Sequence, residues 1–270
     1  MHALHQGWLP VDGGHLYYET VGTGSALVFV HAGIADCRMW DAQFHVFAQH
    51  GHVVRYDIRG YGQSTFSDTP FAHRTDLLAL LSQLNIDQAT LLGVSLGGNI
   101  VLETALIAPA RVKTLIVATS APGGYQFTGN PPPKWSARAV AQEAGDWELA
   151  AELDVQLWLD GPRRTPGQVD AHLRDTVREM DCIALQRAAE RDYLLQPFEP
   201  PTIERLRDIN VPTLVIAGEL DEPNILAACH VLSERIPKAQ LMTMQGTAHL
   251  PNMEQPDTFN RIVLDFLQTI

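Results

Sequence analysis

Five residues, Gly93-Val94-Ser95-Leu96-Gly97, place a serine between two glycines. An apolar run precedes them at 90–94 and an amphipathic helical stretch follows at 96–108. A strand that turns sharply into a helix at a serine pushes the hydroxyl out at the carboxyl end of the strand, where a substrate can meet it. Glycine suits such a corner because a Cβ would collide with the neighbouring backbone, and Gly98 adds a third small residue. A serine hydroxyl is a weak nucleophile at neutral pH and needs a base beside it. The chain has eleven histidines, and His249 is the candidate, in Gly246-Thr247-Ala248-His249, after a strand at 240–244 and before the closing helix. His31 can instead brace a loop by hydrogen bonding, and His172 and His230 read as exposed helix residues. Asp221, in Gly218-Glu219-Leu220-Asp221 after the strand at 213–217, would accept the imidazole N–H, fix its tautomer and stabilise the imidazolium. Glu219 and Glu222 are its rivals. The other loop that could supply an acid, after the strand at 114–119, carries Ser120 and Ala121 and no carboxylate.

Acyl transfer also needs donors for the oxyanion of the tetrahedral intermediate. The Leu96 N–H follows the nucleophile at a helix N-terminus, where the helix dipole favours negative charge. The second donor should lie in the loop after the strand at 27–31, which reads His31-Ala32-Gly33-Ile34-Ala35-Asp36. The Gly33 N–H is the first choice and Ile34 the second.

These residues need a scaffold that brings several loops to one edge. Strands are expected at 15–20, 27–31, 52–57, 90–94 and 114–119, with helices at 39–49, 75–84 and 96–108. After residue 201 the rhythm resumes with a strand at 213–217, a helix at 225–235, a strand at 240–244 and a helix at 256–269. Alternation of this kind implies an α/β fold, a mostly parallel sheet flanked by helices. Between Pro122 and Pro201 the pattern is helical, with Trp135, Trp147 and Trp158 and breaks at Asn130-Pro131-Pro132-Pro133 and Gly161-Pro162. The expected organisation is a core of residues 1–122 and 202–270 with an inserted helical cap at 123–201. The tryptophans either line a pocket or fill the cap's own core. Ile34, Trp135, Trp158 and Leu250 are the candidate pocket residues, with Met253 nearby. Arg163 and Arg164 could meet a substrate carboxylate or simply face solvent.

Composition narrows the classes. At 46% hydrophobic the chain can bury a large core, and its net charge of −12 argues against nucleic acid or an anionic membrane as partner. Three cysteines, far apart and without metal-ligand spacing, suggest neither a disulfide framework nor a zinc site. No leader and no bilayer-length apolar run is read, so a cytoplasmic protein needing no cofactor and no metal is expected.

Taken together, the motifs resemble those of the α/β-hydrolase superfamily over nearly the whole chain. Asp57-Ile58-Arg59-Gly60-Tyr61-Gly62-Gln63-Ser64 is similar to its D-x-R-G-x-G-x-S segment, whose implied role is to shape the turn beside the site. Gly246–His249 and Gly218–Asp221 resemble its histidine and acid loops. The departure is His31-Ala32, where many relatives have His-Gly. The resemblance implies an esterase or lactonase acting on small to medium substrates through Ser95, His249 and Asp221. A cofactor-free perhydrolase, a carbon–carbon bond hydrolase and a small-molecule receptor are the alternatives it allows.

Overall fold

The computed structural model describes residues 3–65, 69–188 and 194–270. Eight strands form one sheet: β1 (His5–Val11), β2 (Gly14–Val21), β3 (Ala26–Val30), β4 (His52–Tyr56), β5 (Ala89–Val94), β6 (Val112–Ala118), β7 (Thr213–Gly218) and β8 (Ala239–Met244). Their order across the sheet is β1-β2-β4-β3-β5-β6-β7-β8. The strands from β4 to β8 in that order run parallel, while β1 and β2 are antiparallel additions at one edge. Every expected strand forms. β1 is the one not foreseen: of its seven residues only Leu9 is buried, so it has no apolar run to announce it. The Asp12-Gly13 turn, with Gly13 at φ 73°, was the available signal for this hairpin.

The helices are α1 (Asp41–Phe47), α2 (His73–Gln83), α3 (Leu96–Ile107), α4 (Pro133–Glu143), α5 (Trp147–Asp154), α6 (Ala171–Ala188), α7 (Thr202–Arg205), α8 (Pro223–Arg235), α9 (Pro251–Glu254) and α10 (Pro256–Leu267). Strands β3, β5 and β7 are buried along their whole length, as strands covered on both faces must be. Alternate residues serve two cores. Val28 and Val30 of β3 join Leu77, Leu80 and Val101 on the face covered by α2, α3 and α8. Leu27 and Phe29 join Phe44, Phe47, Phe259 and Val263 on the face covered by α1 and α10.

Between β6 and β7 the described residues add no strand to the sheet. Helices α4, α5 and α6 pack on one another there, with Trp147 against Ala141, Ala150, Ala151, Cys182 and Leu185. The chain returns through backbone bonds from Phe71 N–H to the Leu194 carbonyl (3.0 Å) and from Gln196 N–H to the Phe71 carbonyl (2.7 Å). Among the described residues, no helix is long and apolar enough to cross a membrane.

Candidate active site

Strand β5 ends at Val94, and the next residue leaves the strand abruptly. Ser95 has φ 54° and ψ −114°, a left-handed backbone that costs energy in any residue with a side chain and persists only where the surroundings enforce it. The enforcement is visible. Ser95 N–H donates to the Ala118 carbonyl at 2.9 Å, and the Ser120 hydroxyl donates to the Ser95 carbonyl at 2.7 Å. A Cβ on Gly93 would run into the Gly97 carbonyl, and one on Gly97 into the Val30 carbonyl. Both glycines are therefore required by close backbone approach.

The strained turn aims the Ser95 hydroxyl at His249. Ser95 Oγ lies 2.8 Å from His249 Nε2, and His249 Nδ1 lies 2.8 Å from Asp221 Oδ2. A carboxylate at Nδ1 places the ring proton there and leaves Nε2 to accept from the serine, a tautomer assigned from the network. Asp221 is fully buried and His249 nearly so. The second Asp221 oxygen accepts the Glu222 N–H at 2.7 Å. The rival carboxylates are engaged elsewhere. Glu222 caps α8 by accepting from Asn224 and Ile225 N–H at 2.7 and 3.3 Å, and Glu219 accepts the Gly246 N–H at 3.0 Å.

The histidine backbone is held from three sides. Thr119 Oγ1 donates to the His249 carbonyl at 2.8 Å, with Thr119 itself at φ 45°. His249 N–H donates to the Trp158 carbonyl at 3.2 Å. The preceding Ala248 N–H donates to Glu254 at 2.8 Å, and Glu254 pairs with Arg164 at 2.6 Å. The loop after β6 offers no acid, but it grips both the serine and the histidine.

The expected oxyanion loop lies against the serine turn. A Cβ on Gly33 would sit 3.6 Å from the Leu96 Cβ, so the two residues are neighbours. Leu96 opens α3, where its N–H has no intrahelical acceptor, and the Ser95 side chain does not cap the helix. His31 shapes this loop. Its Nε2 accepts the Ile58 N–H at 2.9 Å and its Nδ1 donates to the Ala32 carbonyl at 2.8 Å. Complete burial lowers the imidazole pKa, in keeping with the neutral ring that these bonds require. Ala32 is not among the left-handed residues, so the absence of glycine there costs nothing.

The segment 57–64 braces the same corner. Asp57 accepts the N–H groups of Cys37 (2.8 Å) and Gln63 (2.6 Å), and the Ser64 hydroxyl donates to the Asp57 carbonyl at 2.6 Å. Arg59 and Asp76 form a buried ion pair at 2.7 Å. Asp36, Cys37 and Asp57 lie together as a possible metal-ligand set. Burial pushes the Cys37 thiol far up, away from the thiolate a soft ligand must be, and Asp57 already accepts two backbone donors.

A cavity of about 550 Å³ opens over Ser95 and His249. Gly33, Ile34, Trp135 and Trp158 line it. Trp158 belongs to a π-helical turn, Val155–Leu159, a backbone irregularity common at functional sites. Its ring lies 4.6 Å from the His249 ring, and the Trp135 ring lies beyond it, tilted, at 6.0 Å. Leu250 is the correction. It is fully buried in the core beneath α1 and α10 and does not line the cavity, because α9 begins directly after it and turns it inward. Met253 packs on the same core. Arg164 is tied to Glu254 and to the Asp160 and Leu159 carbonyls, and Arg163 is exposed, so neither faces the cavity. Trp147 belongs to the separate small core between α4, α5 and α6.

Sequence reasoning missed Tyr61, Arg138, Gln142, Asp154 and Asp181 on the cavity wall. A signal existed for two of them. Asp154 follows Ala150 and Ala151 on the buried stripe of α5, and Asp181 sits between the buried Val177 and Met180 and the buried Ala184 and Leu185. A carboxylate on the apolar stripe of a helix needs a reason to be there.

Known proteins share this arrangement of elements. A model of the alpha/beta hydrolase family matches residues 27–262. The chain is 30% identical over 258 residues to a 3-oxoadipate enol-lactonase of Acinetobacter baylyi, covering 92% of this chain and 91% of that protein. It is 28% identical over 266 residues to a pimeloyl-[acyl-carrier protein] methyl ester esterase of Yersinia enterocolitica, covering 94% and 97%. The crystal structure of a hydrolase from Pseudomonas aeruginosa PA01 superposes with a TM-score of 0.79 at 29% identity, covering 97% of this chain and 98% of that one.

Proposed function

The chain belongs to the alpha/beta hydrolase family, and from that premise we propose that it hydrolyses small to medium carboxylic esters or lactones through an acyl-enzyme on Ser95. One observation carries the reading: a hydrogen-bonded line from Asp221 through His249 to Ser95 that ends in a cavity able to hold a small molecule. The similarity to an enol-lactonase and to a methyl ester esterase supports the ester or lactone class.

His249 removes the Ser95 proton as the hydroxyl attacks the carbonyl carbon. The Gly33 and Leu96 amides receive the oxyanion. Asp221 holds the imidazolium in place, and the Trp158 ring lies against it, where an aromatic face favours a cation. The alcohol leaves with the proton from His249, which then activates water to release the acid. Helices α4, α5 and α6, within the segment 123–201, form the cap that closes the cavity and selects the substrate. The three cysteines are free and buried, which supports a reducing cytoplasm as the place of work.

The test is steady-state hydrolysis of p-nitrophenyl acetate and butyrate by the wild type and Ser95→Ala side by side. The reading predicts turnover that falls by about 10⁴-fold or more in the variant. A folded variant that keeps wild-type turnover would refute the nucleophile, and a wild type with a single slow event in place of turnover would favour a receptor.

A further inference from the structure

The cavity has a second polar pole, on its cap side, that the chemistry above leaves unused. Arg138 and Gln142 of α4, Asp154 at the end of α5 and Asp181 of α6 line the same space as Ser95 and His249. Arg138 Nε donates to Asp154 Oδ2 at 2.8 Å and Nη1 donates to Gln142 Oε1 at 2.5 Å. Asp181 and Trp158 lie beside Asp154. Asp154 and Asp181 are 3% and 1% exposed.

Two buried carboxyls side by side do not both ionise. Burial and the Asp154 charge push Asp181 well above the usual carboxylate range, so Asp181 holds the proton and Asp154 pairs with the guanidinium. The cluster is thus one cation, one anion and one neutral acid, with no net charge. An ion pair that ties α4 to α5 would account for Arg138 and Asp154. It does not account for a second buried carboxyl on the cavity wall, where an apolar residue beside Ala184 and Leu185 would cost less. The cluster also has bonding capacity left over. Among the described residues, Arg138 Nη2 and Gln142 Nε2 have no acceptor, and no donor nitrogen reaches Asp181 Oδ2.

We propose that Arg138, Gln142, Asp154 and Asp181 recognise a neutral substrate group that both donates and accepts hydrogen bonds, a secondary amide above all, on the substrate's end remote from the scissile carbonyl. The proposal rests on the hydrolase reading for its reaction and on the cluster for its selectivity. An amide carbonyl accepts from the guanidinium or the Gln142 amide, and its N–H donates to a carboxyl oxygen. An anionic group would sit beside Asp154 and a cationic one beside Arg138, and each would add an unbalanced charge next to the two buried carboxyls. An alkyl chain would leave the polar groups dry and unpaired.

The experiment compares methyl γ-acetamidobutanoate with methyl heptanoate, monomethyl adipate and the methyl ester of γ-trimethylammoniobutanoate. kcat/KM is measured for the wild type, Arg138→Met, Asp181→Leu and Asp181→Asn, and dissociation constants for the same four esters are measured by calorimetry on Ser95→Ala. The amide ester is expected to exceed the heptanoate by about tenfold to a hundredfold in the wild type. That ratio should fall to near one in Arg138→Met and Asp181→Leu and persist in Asp181→Asn, because asparagine keeps a neutral donor and acceptor. Each ratio is internal to one protein, so partial loss of folded enzyme does not alter it. Equal rates for amide and alkyl esters, preference for either charged ester, or an unchanged ratio in Arg138→Met and Asp181→Leu would overturn the proposal. A wild type that turns over none of the esters, while Ser95→Ala binds the amide ester tenfold more tightly than the heptanoate, would sink hydrolysis and support the recognition site.

Discussion

Ser95, His249 and Asp221 stand in loops that follow parallel strands, whereas Arg138, Asp154 and Asp181 stand on three helices of the inserted segment. In the first region main-chain bonds set the geometry. Ser95 is pinned through the Ala118 carbonyl and His249 through the Trp158 carbonyl, and strand register fixes how far each loop lies from the next. In the second region the polar groups meet one another only through side chains. On the proposed reading a substitution there would change what the cavity recognises without moving the strands. On that same reading the difference separates chemistry from selectivity: the sheet edge would hold a reaction geometry that tolerates little change, and the inserted helices a cluster that can be exchanged. Trp158 joins the two, with its carbonyl and ring on His249 and its side chain on the cavity wall that Asp154 also lines.

The largest expected effect sharpens the first half of this contrast. Asp221→Asn should lower kcat by about 10⁴-fold, because an amide at that position favours the wrong imidazole tautomer, and should leave the preference among acyl groups unchanged. Steady-state kinetics on two p-nitrophenyl esters checks both parts. A loss smaller than tenfold would mean that another carboxylate, Glu222 or Glu219, supports His249.

The next effect tests the joint. Trp158→Ala removes the ring against His249 and a neighbour of Asp154 on the cavity wall while keeping the backbone carbonyl. It should lower kcat by about tenfold to a hundredfold, the range of a misplaced general base, and also alter the ratio between acyl groups. A variant that changed only that ratio would place Trp158 wholly on the cap side and break the link between the regions.

The smallest effect concerns the cap alone. The folded-state pKa of Asp181 lies above its unfolded value, so the folded protein keeps a proton that the unfolded chain releases. The stability this contributes is fully present below the ordinary carboxylate range, about pH 4, and is lost as pH rises through the folded value. Asp181→Asn has no such proton. Urea unfolding at a series of pH values should show the wild type losing stability relative to Asp181→Asn as pH rises. A difference that is flat, or that slopes the other way, would mean that Asp181 is ionised in the folded protein.

The two regions also differed in how far they could be read from the amino-acid order. The strand-turn-helix at Ser95 and the loops ending in Asp221 and His249 are local patterns, each legible within a few residues, and glycines mark where backbones approach. β1 escaped because a half-exposed edge strand carries no apolar run. Thr119 and Ser120 escaped because their part is to hold backbone carbonyls, which no residue type announces. Leu250 was misplaced because adjacency to His249 in the chain says nothing about which way a side chain points once α9 begins. Arg138, Asp154 and Asp181 were hidden for another reason. Their meeting depends on how α4, α5 and α6 pack, and helical periodicity gives a face but not the neighbour it finds.

The most direct test of the central claim is covalent. Diethyl p-nitrophenyl phosphate phosphorylates a serine that a neighbouring base has activated and releases p-nitrophenolate. The account predicts one equivalent released per protein molecule and a diethylphosphoryl group on the peptide that contains Ser95, with no labelling in His249→Ala. A folded, ester-hydrolysing wild type that remained unlabelled, or that carried the group on another residue, would contradict it.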